Sequence, residues 1–322
     1  MKRVIQFLDE DNRPAVGKVD GESILVISDS RSVYELVGKA FNSGTTLLNQ
    51  VDIAAIGYVE EYERLIRENR VLLPLTHPDP YHAWITGTGL THLGSASSRD
   101  AMHQKIKNQD QDSLTDSMRM FQMGLENGKM ANSIPANQPE WFYKGNGLMA
   151  INPGGTLTSP SFALDGGEEP EIAGLYVISP KGDPVRIGFA LGNEFSDHKM
   201  EKINYLYLAH SKLRPCSYGP ELVLDELPSH LEGTCRILRN KNTLWKKAFQ
   251  TGEANMSHNF ANLEYHQFKY PMFCQPGDVH IHYMGTSVLS FADGITLKKG
   301  DQIEIAIPEF GKPLVNTFAV QE

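Results

Sequence analysis

The chain has 322 residues, 40% of them hydrophobic and 21% charged, which suits a globular fold with a sizeable core and excludes a long disordered tail. Its formal net charge of −9, with no Lys/Arg block, argues against nucleic acid and anionic membranes as partners. An anionic substrate stays open, because a bound cation inverts the local field.

The N-terminal stretch turns polar after a few apolar residues, and no apolar run reaches the roughly 18 residues of a membrane helix. Neither a signal peptide nor a membrane span is expected. Cys216, Cys235 and Cys274 are scattered, with no CxxC spacing. That argues against a zinc knuckle or a disulfide framework and predicts a reduced, cytoplasmic protein.

Residues 1–75 predict a small α+β domain. It has a strand in RVIQFLD, a hairpin turning at Asp20-Gly21, and helices in SVYELVGKAFNSG and VEEYERLIRENRV. The prolines of LPLTHPDPYH mark a boundary. AWITGTGLTHLGS then predicts a strand and a Gly-rich loop, but its Gly87-x-Gly89-x4-Gly94 spacing misses the dinucleotide fingerprint. Residues 95–132 are polar and Met-rich and predict a helical, lid-like insertion. After Pro139, short strands alternate with Gly/Pro/Asp turns. The fold class expected is α+β and β-rich, with the larger domain over residues 76–322.

The stretch GGEEPEIAGLY, residues 166–176, puts three glutamates at the mouth of an apolar strand. A turn at residues 179–184 joins that strand to a second apolar one, so a symmetric register sets Glu171 opposite Gly192 and Glu169 opposite Glu194. A strand period of two puts Glu169 and Glu171 on the face of Ala173, Leu175 and Val177, and sends Glu168 the other way, toward solvent or a neighbouring chain. Three inward carboxylates repel one another, and burying them unpaired costs on the order of several kcal/mol each. A hard divalent cation with oxygen ligands compensates.

Four further pieces follow in order. They are FYKGNG with Lys144, NEFSD with Glu194, SKLRPCSYGP with Lys212, and PGDVHIHYMGTS with Gly285 and Thr286. With EPEIA, this ordered set resembles the fumarylacetoacetate hydrolase family over residues 80–322, and within it the branch of 2-keto-3-deoxy-sugar-acid dehydratases. The resemblance implies a mixed β-roll around a metal site, usually in a homodimer. It implies Mg²⁺, with Mn²⁺ or Ca²⁺ as substitutes, held by Glu169, Glu171 and Glu194. Lys212 and Thr286 would face the substrate, with Gly285, Lys144 and Ser95 beside it. The third ligand of the family is usually Asp, so Asp197 stays open as an alternative to Glu194. Where hydrolytic members carry a water-activating histidine, this chain has Ser95, with His92 at a nearby tyrosine position. That favours dehydration over carbon–carbon bond hydrolysis.

The chemistry implied is removal of a C3 proton from a 2-keto acid and loss of the C4 hydroxyl, giving 2,5-dioxopentanoate from a 2-keto-3-deoxy pentonate. Lys212, its pKa lowered by burial, is the expected base. His92 or His103 is the expected acid, and Thr286 with its strand-end N–H the expected carboxylate binder. Hydrolysis of a β-diketo acid, Schiff-base chemistry at Lys212 and non-catalytic Ca²⁺ binding are the rival readings. His280 and His282 share one strand face and are expected to be structural or to line the pocket. Cys216 is expected to be a small buried filler.

Overall fold

The computed structural model describes residues 1–94, 115–132 and 134–322. The chain folds into two mixed β-sheets with short helices at their edges. Along its main path the larger sheet runs Ile56–Glu61, Ser23–Ile27, Pro14–Asp20, Arg3–Leu8, Leu222–Val223, Pro184–Asn193, Pro170–Ile178, Val279–Thr286, Ala83–Gly89 and Glu140–Asn146. The smaller sheet runs Asn242–Thr251, Leu231–Arg239, Gln302–Ala306, Leu314–Val320 and Thr156–Ser159.

Pro170–Ile178 is the strand around which the site is built. It pairs with Pro184–Asn193 on one edge and Val279–Thr286 on the other, and all nine of its residues are buried. Ala173, Leu175 and Val177 join a core with Ile85, Ala190 and Ile281. Ile172 and Tyr176 point the other way, into a core with Leu191, Ile237, Ile303 and Phe318 of the smaller sheet. A strand covered on both faces reads as a continuous apolar run rather than an alternating one. Period two therefore separates the two faces here but does not tell inside from outside.

Residues 1–75 form the expected first strand, hairpin and helix Val33–Ser43, but in VEEYERLIRENRV only Tyr62–Arg67 is helical, after the strand Ile56–Glu61. Arg3–Leu8 pairs with Leu222–Val223, and Val4, Val16 and Val33 share a core with Ala83 and Ala173. The sheet runs on past residue 75, while Ile5, Phe7, Ile24, Tyr62 and Leu65 form a further core of residues 1–75 alone. Of the expected lid, the second half is described, as the helix Asp116–Asn127. Thr115 caps it by accepting from the Met118 N–H at 3.3 Å. Ser95 and His103 lie outside the described residues. No helix among the described residues is long and apolar enough to cross a membrane.

Candidate active site

The hairpin brings the three carboxylates together. Its turn closes with the Ser179 N–H donating to the Asp183 carbonyl at 2.8 Å, and Gly182 takes the positive φ of 87° that this turn requires. Glu171 then pairs with Gly192, and the Glu194 N–H donates to the Glu169 carbonyl at 3.1 Å. This is the register of the symmetric reading, although a bulge between Leu175 and Tyr176 shifts the turn half of the hairpin by one residue.

Carboxylate oxygens of Glu169, Glu171 and Glu194 lie within 4.8 Å of one another, and all three residues are buried. Burial and the Glu194 and Glu169 charges hold the Glu171 carboxyl well above the usual range. Burial, then the Glu169 charge, push Glu194 up to about 7. Burial would raise Glu169 too, but Lys212 and His198 overcome it and keep Glu169 well below the usual range. Three crowded oxygen donors short of positive charge suit a hard divalent cation.

Backbone geometry fixes the trio. The Gly285 N–H donates to Glu171 Oε2 at 2.7 Å, and the Thr286 hydroxyl donates to the Pro170 carbonyl at 3.0 Å. Gly285 has φ = 100°, and a Cβ there would stand 2.0 Å from Thr91 Oγ1. Two residues expected at the substrate thus also hold the carboxylate strand. Lys144, also expected at the substrate, is fully buried. Its ammonium donates to Glu194 Oε1 at 2.5 Å and to the Phe195 and Lys212 carbonyls at 2.7 and 2.9 Å. Asp197 faces away from the trio. It accepts from Arg214 at 3.0 Å, the Leu164 N–H at 2.9 Å and the Met200 N–H at 3.0 Å, and it is not one of the three carboxylates that converge.

Lys212 differs from expectation. Its ammonium bonds Glu169 Oε1 at 2.5 Å and Glu194 Oε2 at 2.6 Å and lies 4.8 Å from the centroid of the Phe142 ring. Burial alone would lower its pKa, but the Glu169 and Glu194 charges hold it well above the ordinary lysine value. In this state Lys212 stands in for a cation.

His92 lies against Gly285, but its hydrogen bonds go to hydroxyls rather than carboxylates. Its ring nitrogens engage the hydroxyls of Thr91 at 3.1 Å and Thr251 at 2.8 Å, and burial pushes it down to about 4. It is neutral at pH 7, with a single ring proton shared between these two hydroxyl contacts.

Glu168 corrects the sequence reading as well. Instead of facing solvent it is fully buried, accepting from the Ser290 N–H at 2.8 Å and the Ser290 hydroxyl at 2.9 Å. Cys216 is buried with its thiol pushed up to about 11, as befits a filler. His280 and His282 are buried and neutral, their Nε2 atoms without a hydrogen-bond partner among the described residues.

Three polar neighbours of the trio escaped the sequence reading. His198 Nε2 donates to Glu169 Oε1, 3.1 Å away, and its buried Nδ1 has no hydrogen-bond partner among the described residues. Glu140 precedes Phe142 and Lys144 on one strand face, and burial pushes its carboxyl up to about 7, against the pull of Lys212. Tyr205 hydrogen-bonds that carboxyl. The legible signal was the spacing: Glu140, Phe142 and Lys144 alternate on a strand whose last member already pointed at the site. A cleft of about 660 Å³, lined among others by Asp116, His198, Glu201, Tyr205 and Phe291, opens beside the trio.

The two mixed sheets with their few short helices are the fumarylacetoacetate-hydrolase-like fold. No family model matches the chain. At 17% identity and 99% coverage of both chains, it superposes with a TM-score of 0.71 on "2-keto-3-deoxy-D-arabinonate dehydratase complexed with magnesium and 2,5-dioxopentanoate", and of 0.72 on the apo form of that enzyme. A 5-carboxymethyl-2-hydroxymuconate delta-isomerase from Mycobacterium smegmatis has the same fold at a TM-score of 0.59, with 14% identity over 99% of this chain and 100% of that one. In sequence, 123 residues are 30% identical to a probable 2-keto-3-deoxyxylonate dehydratase of Haloferax volcanii. They cover 37% of this chain and 41% of that relative.

Proposed function

We propose that the chain is a divalent-cation-dependent dehydratase of a 2-keto-3-deoxy sugar acid, a pentonate in preference, yielding 2,5-dioxopentanoate. The observation that carries this reading is the buried trio of Glu169, Glu171 and Glu194 with Lys212 in contact with two of its members. The dehydratases of the same fold, and the partial sequence match to another, support it.

Mg²⁺, or Mn²⁺ or Ca²⁺ in its place, would be held by the three glutamates and would polarise the 2-keto oxygen as a Lewis acid. Lys144 fixes Glu194 from behind, and the Gly285 N–H fixes Glu171. Lys212, once off the carboxylates and having lost a proton to solvent, takes the C3 proton as the neutral amine. The C4–O bond breaks with its electron pair going to oxygen, and protonated Glu140 supplies the proton that completes the departing water. The unsaturated keto acid then isomerises to 2,5-dioxopentanoate, so substrate equals product plus one water. The fold's rigid strands hold these groups, and the cleft beside Tyr205 receives the hydroxylated tail.

The test is turnover of 2-keto-3-deoxy pentonates and hexonates by Mg²⁺-loaded protein, read as aldehyde formation and stopped by EDTA. No dehydration of any of them sinks the reading. Pyruvate among the products would transfer it to hydrolysis of a β-diketo acid. The protein is further read as a cytoplasmic homodimer. Phe162, Ile203, Leu206, Tyr207 and Leu213 form an exposed apolar patch that supports self-association, and light scattering checks it.

A further inference from the structure

Glu201 has no part in the chemistry above, and the two buried lysines give it one. The Lys144 ammonium spends its three protons on the Phe195 carbonyl, the Lys212 carbonyl and Glu194 Oε1. Two of those acceptors are backbone, so Lys144 stays where the strands put it. The Lys212 ammonium holds only side chains, Glu169 Oε1 at 2.5 Å and Glu194 Oε2 at 2.6 Å. Its next charged neighbour is Glu201 Oε2 at 3.9 Å, a residue 37% exposed that lines the cleft beside the trio.

Ligand geometry points the same way. A divalent cation on the trio needs the Glu169 and Glu194 oxygens that the Lys212 ammonium occupies. Of the two ammonium groups, only that of Lys212 is free of backbone acceptors.

Resting on the cation-site reading above, we propose that Glu201 is a positioning residue that takes over the Lys212 ammonium when a divalent cation displaces it from Glu169 and Glu194. Glu201 is built for the exchange. It lies on the one-turn helix His198–Ile203, whose first residue already contacts Glu169 Oε1 at 3.1 Å. The hand-over moves the ammonium from the trio toward the cleft that Glu201 lines.

The test is Mg²⁺ titration calorimetry without substrate, on wild type, Glu201→Gln, Lys212→Met and the double variant. Glu201→Gln is expected to weaken Mg²⁺ binding about fivefold, the measured order of one partly exposed charge pair, and Lys212→Met to tighten it by at least as much. In the Lys212→Met background, Glu201→Gln is expected to change nothing, because there is no ammonium to receive. Where Lys212→Met fails to fold, Lys212→Gln supplies the second background. The inference is overturned if Glu201→Gln binds Mg²⁺ as wild type does, or if it weakens binding equally with and without Lys212. Either result leaves the cation site standing. A wild type that binds no divalent cation overturns the site reading and this inference together.

Discussion

Glu140 is the residue on which the proposed chemistry turns, and its environment makes two predictions. Glu140→Gln is expected to lower kcat by roughly 10²- to 10⁴-fold, the usual worth of a positioned proton donor, with Mg²⁺ affinity kept. The donor must be protonated, and its carboxyl titrates at about 7, so wild-type kcat falls as pH rises through that value. Glu140→Gln removes that limb of the profile, and a limb that persists in the variant would exclude Glu140 as the donor. Gly89 pairs with Glu140 across the sheet, and a Cβ there would lie 1.9 Å from Glu140 Oε1. Gly89→Ala is therefore expected to lower kcat by displacing that carboxylate, again with Mg²⁺ binding intact by calorimetry. In the sequence, Lys144 and Lys212 were both legible as site lysines, but not their division of labour. That depends on whether backbone carbonyls or carboxylates happen to meet each ammonium, and carbonyl directions are not written in side-chain identity.

At the scale of elements, the hairpin was legible because its turn chemistry and period two both act locally. The strand Val279–Thr286 was legible as a strand, yet its contribution was not. Its Gly285 takes a left-handed φ and offers its N–H to Glu171, a contact across 114 positions of chain. Gly285→Ala is expected to cost about 1–3 kcal/mol through strain at φ > 0 and the clash with Thr91. It should also weaken Mg²⁺ binding by loosening Glu171. Denaturant midpoints and calorimetry read the two effects separately, and a variant with wild-type stability and affinity would rule out this anchoring role. The direction of Glu168 was misread for an equally physical reason. A strand end that looks like an edge in sequence is covered here by the loop carrying Ser290.

The whole molecule carries a buried histidine load that shapes its acid stability. Burial pushes His92, His258 and His280 down to about 4 and His282 to about 3. Each is neutral in the folded chain and takes up a proton near pH 6.5 when unfolded. Above that pH neither state binds the proton, so stability is at its full value there. As pH falls from 6.5 toward 4 the unfolded state binds more protons, and stability is lost at up to about 5 kcal/mol per pH unit with four groups titrating together. Urea midpoints between pH 7 and 4.5 should therefore fall steeply, and His282→Asn should flatten the curve. A flat wild-type curve would mean that these imidazoles charge inside the fold.

What the sequence alone determined is the local pattern: short strands, the hairpin register, the carboxylates it brings face to face, and the ordered motifs that resemble a known family. These follow from turn residues and side-chain alternation, which act over a few positions. What only the tertiary structure decided is which groups meet across the sheets. Glu140 comes to the site at pKa about 7, Lys144 is locked by carbonyls, and Lys212 lies against carboxylates that raise its pKa when burial alone would lower it. Protonation and partnership depend on burial and on neighbours distant in sequence, and those are properties of the packed chain.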